Sequence, residues 1–524
     1  MKRAYYTKYL SLGAFDMRVP YGLLKNNYVH MKTNILSLLI VLLLFSGCQD
    51  FLDIRPEGTI PSTGMDHTKS ENIFLPVSAA YASLRDGNVH AFSYIGAFEI
   101  TSDNADKGSS PADNPEMQQI DNFTYTPTNS LISGLWSGYY NVVSAANNAI
   151  QEMPLFEAAL LNEDSKTYTR QCAGEAKTIR AYAYFNLTRL FGKVPIIDST
   201  MTAEQLAAQP QASTSALYDF IEKDLQEAIE VLPASYSKDW AGRITKYTAM
   251  ALKAKVHLYQ NEWDSVAVLT DRIMASGRFA LLDNYREVFS VDGENTKESL
   301  FEIQSSTLGR SSGDITYLEY AFIQGPRSNT PSNMQGWGFC TPSNDLIQFY
   351  SGRNDSIRAA TTLLYRGTKT PEGDSIKNSC SNPVYNGKVY TPSALNLWNY
   401  NGYGFEHNVR ILRYAEVLLM YAEAWQQGAT SYNTSGFTGL SALNAVRKRA
   451  GLISLGSLSL QAIWDERRAE LAMEEDRFFD LIRTGQAVAT LSGLGFSSSK
   501  NNVFPIPATQ MQLNSNLVQN PNYN

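Results

Sequence analysis

GEAKTIRAYAYFNLTRLFGKVPII, residues 174–197, sets Ala176, Ile179, Ala183, Leu187 and Leu190 at three- and four-residue steps. That spacing draws one apolar stripe along a helix, which the pattern extends over 170–191 until Gly192 and Pro195 stop it. Further along, 217–233 reads as a second helix closed by Pro233. Residues 245–260 put Ala249, Leu252, Val256 and Tyr259 on one face, and Trp263 opens another helix through Ala275. Alanines at contact positions let helices approach closely, as in tetratricopeptide-like pairs, although no strict 34-residue period aligns. Helices are also predicted over 413–427, 440–449 and 460–481.

Between these helices lie two stretches of different character, about 87–133 and 282–406, rich in Gly, Ser, Asn, Thr and Pro with scattered aromatics. Short strand-like pieces such as 300–304 (LFEIQ) sit there among turn signals. Irregular inserts of this length inside a compact domain are more often functional than not, because ordering them costs conformational entropy.

The whole chain has 524 residues, 44% hydrophobic and 18% charged, which excludes disordered and collagen-like classes. Acids outnumber bases, 51 to 44. The segment before Cys48 holds six of the bases and one of the acids, so the remainder stands at −12. Such a charge argues against nucleic acid and against an anionic lipid surface as partners. Aromatics are abundant, with 30 Tyr, 23 Phe and 7 Trp, enough to build a core and leave rings for binding.

Met31-Lys32, the apolar run from Ile35 to Phe45 and then Ser46-Gly47-Cys48 form a basic end, an apolar region and small residues before a cysteine. The run is too short to span a bilayer. The ending resembles a bacterial lipobox, with Phe45 where Leu is usual, and implies that Cys48 is acylated and becomes the mature N-terminus. Residues 1–30 read as a mis-called extension, 31–47 as the lipoprotein signal peptide and 48–72 as a lipid-anchored tether. The body, 73–524, is one domain carrying both inserts.

Nothing advertises catalysis or a cofactor. Cys172, Cys340 and Cys380 form no Cys-x-x-Cys; a Cys340–Cys380 pair is left open. His67, His90, His257 and His407 lack the close spacing of a helical zinc site. His257, between Val256 and Leu258, reads as a packed or groove-lining residue. The sequence holds no Gly-rich phosphate loop, no Gly-x-Ser-x-Gly elbow and no dinucleotide fingerprint. Glu466, Glu470 and Glu474 step along one helix as a glycosidase pair could, but Arg467, Arg468, Arg477 and Arg483 interleave with them and with Glu475, Asp476 and Asp480. The cluster therefore reads as ion pairs.

Taken together, these segments resemble the SusD/RagB family of outer-membrane nutrient-binding lipoproteins. The resemblance rests on Phe51-Leu52-Asp53 and Pro56 after the lipid cysteine and on 174–197 with Arg180, Tyr184 and Phe191-Gly192. It continues through ILRYAEVLLMYAEA (411–424), LNAVRKRAGL (443–452), ERRAELAMEEDRFFDLIRTG (466–485) and FPIPATQMQLNSNLVQNPNY (504–523), in order. It implies a mostly helical fold with four tetratricopeptide-like helix pairs supporting a loop-built binding part. It also implies a non-enzymatic role at the outer cell surface and a partner, a SusC-like TonB-dependent transporter. The implied ligands are oligosaccharides, or peptides in some members, and Phe504-Pro505-Ile506-Pro507 is expected to pack as structure.

Sugars stack their C–H faces on aromatic rings and take hydrogen bonds from Asp, Asn and Arg, so a site needs exposed rings beside polar groups. The first insert offers Tyr94, Phe98, Asp103, Asn104 and Asp106; the second offers Tyr317, Tyr320, Phe322, Arg327, Gln335, Trp337 and Phe339. Trp337 leads, because Gly336 and Gly338 on either side predict a bent, exposed backbone. No metal is predicted at 103–106, since Ala105 and Lys107 fall on ligand positions of a calcium loop. The acids Asp103, Asp106, Asp314 and Asp345 are those a rival surface hydrolase would use.

Overall fold

Caps and breakers set the limits of the helices in the computed structural model, which describes residues 64–305, 319–329, 336–395, 407–430 and 434–523. Cys48, Asp314, Tyr317 and Gln335 lie outside these, as do the leader and most of the tether. Every element below belongs to the unit Asp66–Asn524. Helix α1 is Phe74–Ser83 and α2 is Ser130–Ala159. Helix α3, Glu163–Phe191, starts at Asn162, whose side chain accepts from the backbone N–H groups of Asp164 and Ser165. That cap satisfies donors a helix start leaves unpaired, worth about 1 kcal/mol. The first two turns of α3 are polar, so apolar periodicity alone placed the start too late.

Helices α4 (Thr214–Val231), α5 (Lys246–Gln260) and α6 (Trp263–Ala275) follow the sequence pattern closely. So do α7 (Tyr414–Gln426) and α8 (Gly439–Arg449). From α1 to α8 each helix packs on the next in chain order, the stacking expected of paired helical repeats. Among the described residues no helix is long and apolar enough to cross a membrane.

The single helix expected over 460–481 is in fact two, α9 (Leu460–Leu471) and α10 (Arg477–Arg483). Between them Met473 and Glu475 adopt left-handed backbone angles, φ 65° and 74°. The buried Glu99 carboxylate holds this break open, accepting from Met473 N–H at 3.1 Å and from Glu475 N–H at 2.7 Å. A partner some 370 residues away thus overrides local helical periodicity.

The charged cluster does form ion pairs, but they are buried and run mostly between elements. Arg358, Arg413 and Arg449 converge on Glu470; Arg353, Arg358 and Arg447 reach Glu466; Lys388 and Arg413 reach Glu474. A second chain alternates Arg189, Lys255, Arg467 and Arg483 with Asp476, Glu416, Asp480 and Glu423.

The inserts are less irregular than their composition suggests. Three two-stranded antiparallel sheets cross them: β1 (Ala105–Gly108) with β3 (Phe339–Pro342), β2 (Ser299–Ile303) with β6 (Val409–Arg413), and β4 (Leu363–Tyr365) with β5 (Val384–Asn386). Phe504 and Ile506 are buried, as expected of a packing segment. Cys172, Cys340 and Cys380 are free and buried, so Cys340 and Cys380 do not pair.

Candidate functional site

The β1–β3 ribbon is what joins the two inserts. Ala105 lies opposite Pro342, Asp106 opposite Thr341 and Gly108 opposite Phe339. Just before β3 the chain passes through Gly336-Trp337-Gly338. A Cβ on Gly336 would meet the Gly325 Cα and the Phe322 carbonyl oxygen at 2.4 Å each, and Gly338 has φ 74°. Both positions therefore need glycine, one for close approach and one for its backbone angle. Trp337 N–H donates to the Phe322 carbonyl at 3.1 Å, while the Gly338 carbonyl accepts from Ser109 N–H and, at 3.1 Å, from the Asn382 amide. The bend that the two glycines predicted is present, but the exposure is not: Gly336 and Gly338 are both buried, since close packing on Gly325 and Phe322 is what requires a glycine there.

The Trp337 ring is half-buried. It meets Phe92 edge-on at 6.0 Å and Phe322 at 5.6 Å, and Phe92 in turn meets Phe339 at 5.0 Å. Phe92 is also half-buried. Sequence reading passed over it, and its place in the first insert is the sole clue it carried. Around these rings stand polar groups from both inserts. Arg327, close to Gly338, pairs with Asp113 and donates to Ser109 Oγ at 2.6 Å, whereas Asp106 is exposed but alternates with Lys107 along β1 and so faces away from the side on which Lys107 meets Phe339. Lys107 Nζ sits 5.9 Å from the Phe339 ring centre. Hydrogen bonds from Ser109 and Ser110, together with the Arg327 charge, hold the Asp113 carboxyl below its usual range. Burial pushes the neighbouring Asp121 up to about 6.

The other candidates fall elsewhere. Tyr94, Tyr320 and Phe339 are core residues, and the first two bind inward: Tyr94 packs on Phe98 at 4.3 Å, and Tyr320 OH donates to Glu475 at 2.9 Å. Their rings offer no face to a ligand, because filling the space under the inserts takes large apolar groups. Asp103 is buried in a two-pronged pair with Arg477, at 2.8 and 2.9 Å, and with Arg468 at 3.0 Å. Burial works against its charge, but the two guanidiniums prevail and hold its carboxyl low. Asn104 is buried and accepts from Arg468. These two residues lock the first insert onto α9 and α10 instead of facing outward. Asp345 also pairs with Arg468, which leaves Asp103 and Asp345 committed to one arginine rather than poised across a cleft.

Comparison with known proteins agrees with this architecture. A family model described as "Starch-binding associating with outer membrane" matches residues 50–258, and one described as "SusD family" matches 364–523. A SusD-like protein of Bacteroides ovatus is 28% identical over 472 residues, covering 87% of this chain and 83% of its own. Starch-binding protein SusD of Bacteroides thetaiotaomicron is 24% identical over 415 residues, 67% of this chain and 72% of its own. Among solved structures, a laminarin-binding SusD-like protein has a TM-score of 0.74 at 29% identity, covering 86% of this chain and 99% of its own. Surface glycan-binding protein A of Bacteroides thetaiotaomicron, solved with laminarihexaose, has a TM-score of 0.73 at 26% identity and the same coverage. On the two family matches, the helical stack and these neighbours, the chain belongs to the SusD/RagB family.

Proposed function

We propose that this protein is a cell-surface lipoprotein of the outer membrane that captures a nutrient oligosaccharide and passes it, unaltered, to a SusC-like TonB-dependent transporter. The observation that carries the reading is the half-buried Trp337–Phe92 pair at the junction of the two inserts, with Arg327 and Asp113 beside it. Rings supply stacking faces and these polar groups supply hydrogen bonds, which is what a sugar requires and hydrolysis does not. Kinship to laminarin-binding proteins supports a glycan ligand, and laminarihexaose is the first probe.

Calorimetry paired with a thermal melt tests the site. Trp337→Ala is expected to weaken binding of the cognate glycan by about 1–3 kcal/mol while the melting temperature moves by a few degrees. Unchanged affinity with a sharply lower melting temperature would make Trp337 a core residue, whose loss costs about 3–5 kcal/mol of stability. Glycan shortened on overnight incubation would replace the capture reading with a hydrolase.

The anchor has its own test. Several acyl chains on Cys48, at about 0.8 kcal/mol per buried methylene, would keep the protein in the membrane fraction. Cys48→Ala is expected to shift it to the soluble fraction, and palmitate label retained by that variant would refute the lipid assignment.

A further inference from the structure

Spacing along the chain left His257 without metal partners; the fold brings two. Its ring, on α5, is only 6% exposed. Nδ1 lies 2.5 Å from Glu262 Oε2, at the turn into α6, and 3.8 Å from Glu222 Oε1 on α4. One ligand atom from each of the three falls within 4.8 Å of the other two, the sole such cluster among the described residues.

Two carboxylates therefore converge on one imidazole nitrogen. A single N–H can serve only one of them, and the Glu262 carboxylate takes it. Glu222 is left with the Gln260 amide at 2.6 Å, while the Lys253 ammonium nearby turns to Gln226 at 2.9 Å. A cation that displaced this proton would find the Nδ1 lone pair facing two carboxylates.

We propose that Glu222, His257 and Glu262 bind one zinc-type divalent cation, through His257 Nδ1 and one oxygen of each glutamate, with water at the fourth position. An imidazole with two carboxylates suits zinc, whereas calcium and magnesium prefer all-oxygen shells. Tetrahedral zinc sets its ligands about 3.4 Å apart. The Glu262 oxygen must then withdraw by about 1 Å and Glu222 must close in. Both glutamates can do so, since their side chains are 25% and 46% exposed for Glu222 and Glu262 while burial fixes the ring. The ion would staple α4 to the α5–α6 turn within the helical stack. None of the Trp337 site residues belongs to the cluster, so the site stands independently of the capture function.

The test is titration of the chelator-stripped full chain with zinc chloride, with calcium and magnesium chloride in parallel. One zinc per chain is expected, with a saturable rise in melting temperature that calcium and magnesium do not reproduce. His257→Gln should weaken uptake at least tenfold. Glu262→Gln, at an exposed turn that folding tolerates, should do the same, whereas His67→Gln should leave uptake unchanged. Absence of zinc uptake, or equal uptake by the wild type and the Glu262→Gln chain, overturns the proposal.

Discussion

Glu470→Ala is expected to destabilise the protein by about 3–5 kcal/mol, read as a lower denaturant midpoint. Glu470 is fully buried, and Arg358, Arg413 and Arg449 all lean on it. Burial alone would raise its pKa, but Arg449, Arg413 and Arg358 outweigh that and hold it at about 2. The carboxylate is thus charged at every physiological pH, and removing it leaves guanidiniums buried with too few counter-charges. The cost arises mainly from those orphaned cations, because a well-made buried ion pair contributes little net stability by itself. Glu470→Gln, which keeps the shape and loses the charge, should fall between wild type and alanine. Glu163→Ala, at an exposed pair with Lys166, should change stability by under about 0.5 kcal/mol. A cost below about 1 kcal/mol for Glu470→Ala would show that the arginines find other partners.

Glu99→Gln is expected to cost less stability at pH 8 than at pH 4.5. Glu99 is fully buried, and burial raises its pKa to about 7, against the opposing pull of the Glu475 and Met473 N–H groups, Asn104 and Lys388. Its neighbour Glu475 is also pushed well above the usual carboxyl range, by burial first and then by Glu99 itself. A carboxyl whose pKa is higher folded than unfolded binds its proton more tightly in the native state. Stability from it is therefore complete below about 4.5 and is lost as pH rises through 7. The penalty at pH 8 is on the order of a few kcal/mol. Glu99 accepts from Met473 through one oxygen and from Glu475 through the other, whereas glutamine has a single acceptor oxygen, so the substitution removes the charge penalty but loses one of the two hydrogen bonds. Melting curves at the two pH values decide it; a cost as large at pH 8 as at pH 4.5 would mean that the Glu99 charge carries no penalty in the folded protein.

Helix-forming stretches were the legible part. Stripes such as 245–260 and caps such as Thr245 act over a few residues, so α5 and α6 could be placed almost to the residue. Interleaved charge between 466 and 483 likewise announced ion pairs, though not that they are buried against Arg358 and Arg413, which come from distant parts of the chain. What depends on distant partners could not be read. The left-handed Met473 and Glu475 need Glu99; Asp103 and Asn104 look like loop residues until Arg468 and Arg477 arrive. Helix α2, rich in Gly, Ser and aromatics and containing Pro154, gives weak local cues and is held by its neighbours α1 and α3. At the candidate site Trp337 was found because its flanking glycines are a local mark, whereas Phe92 bears none.

The β1–β3 ribbon also bears on the order in which the chain assembles. Its two strands are about 230 residues apart, while helices α2 to α6 pack on one another across short connections and α6 meets α7 only across the second insert. Closing so long a loop brings no compensating contact until both strands arrive, and local helix pairs face no such delay. The α2–α6 pairs are therefore expected to form before the ribbon closes, which would make the Trp337 surface a late product of folding.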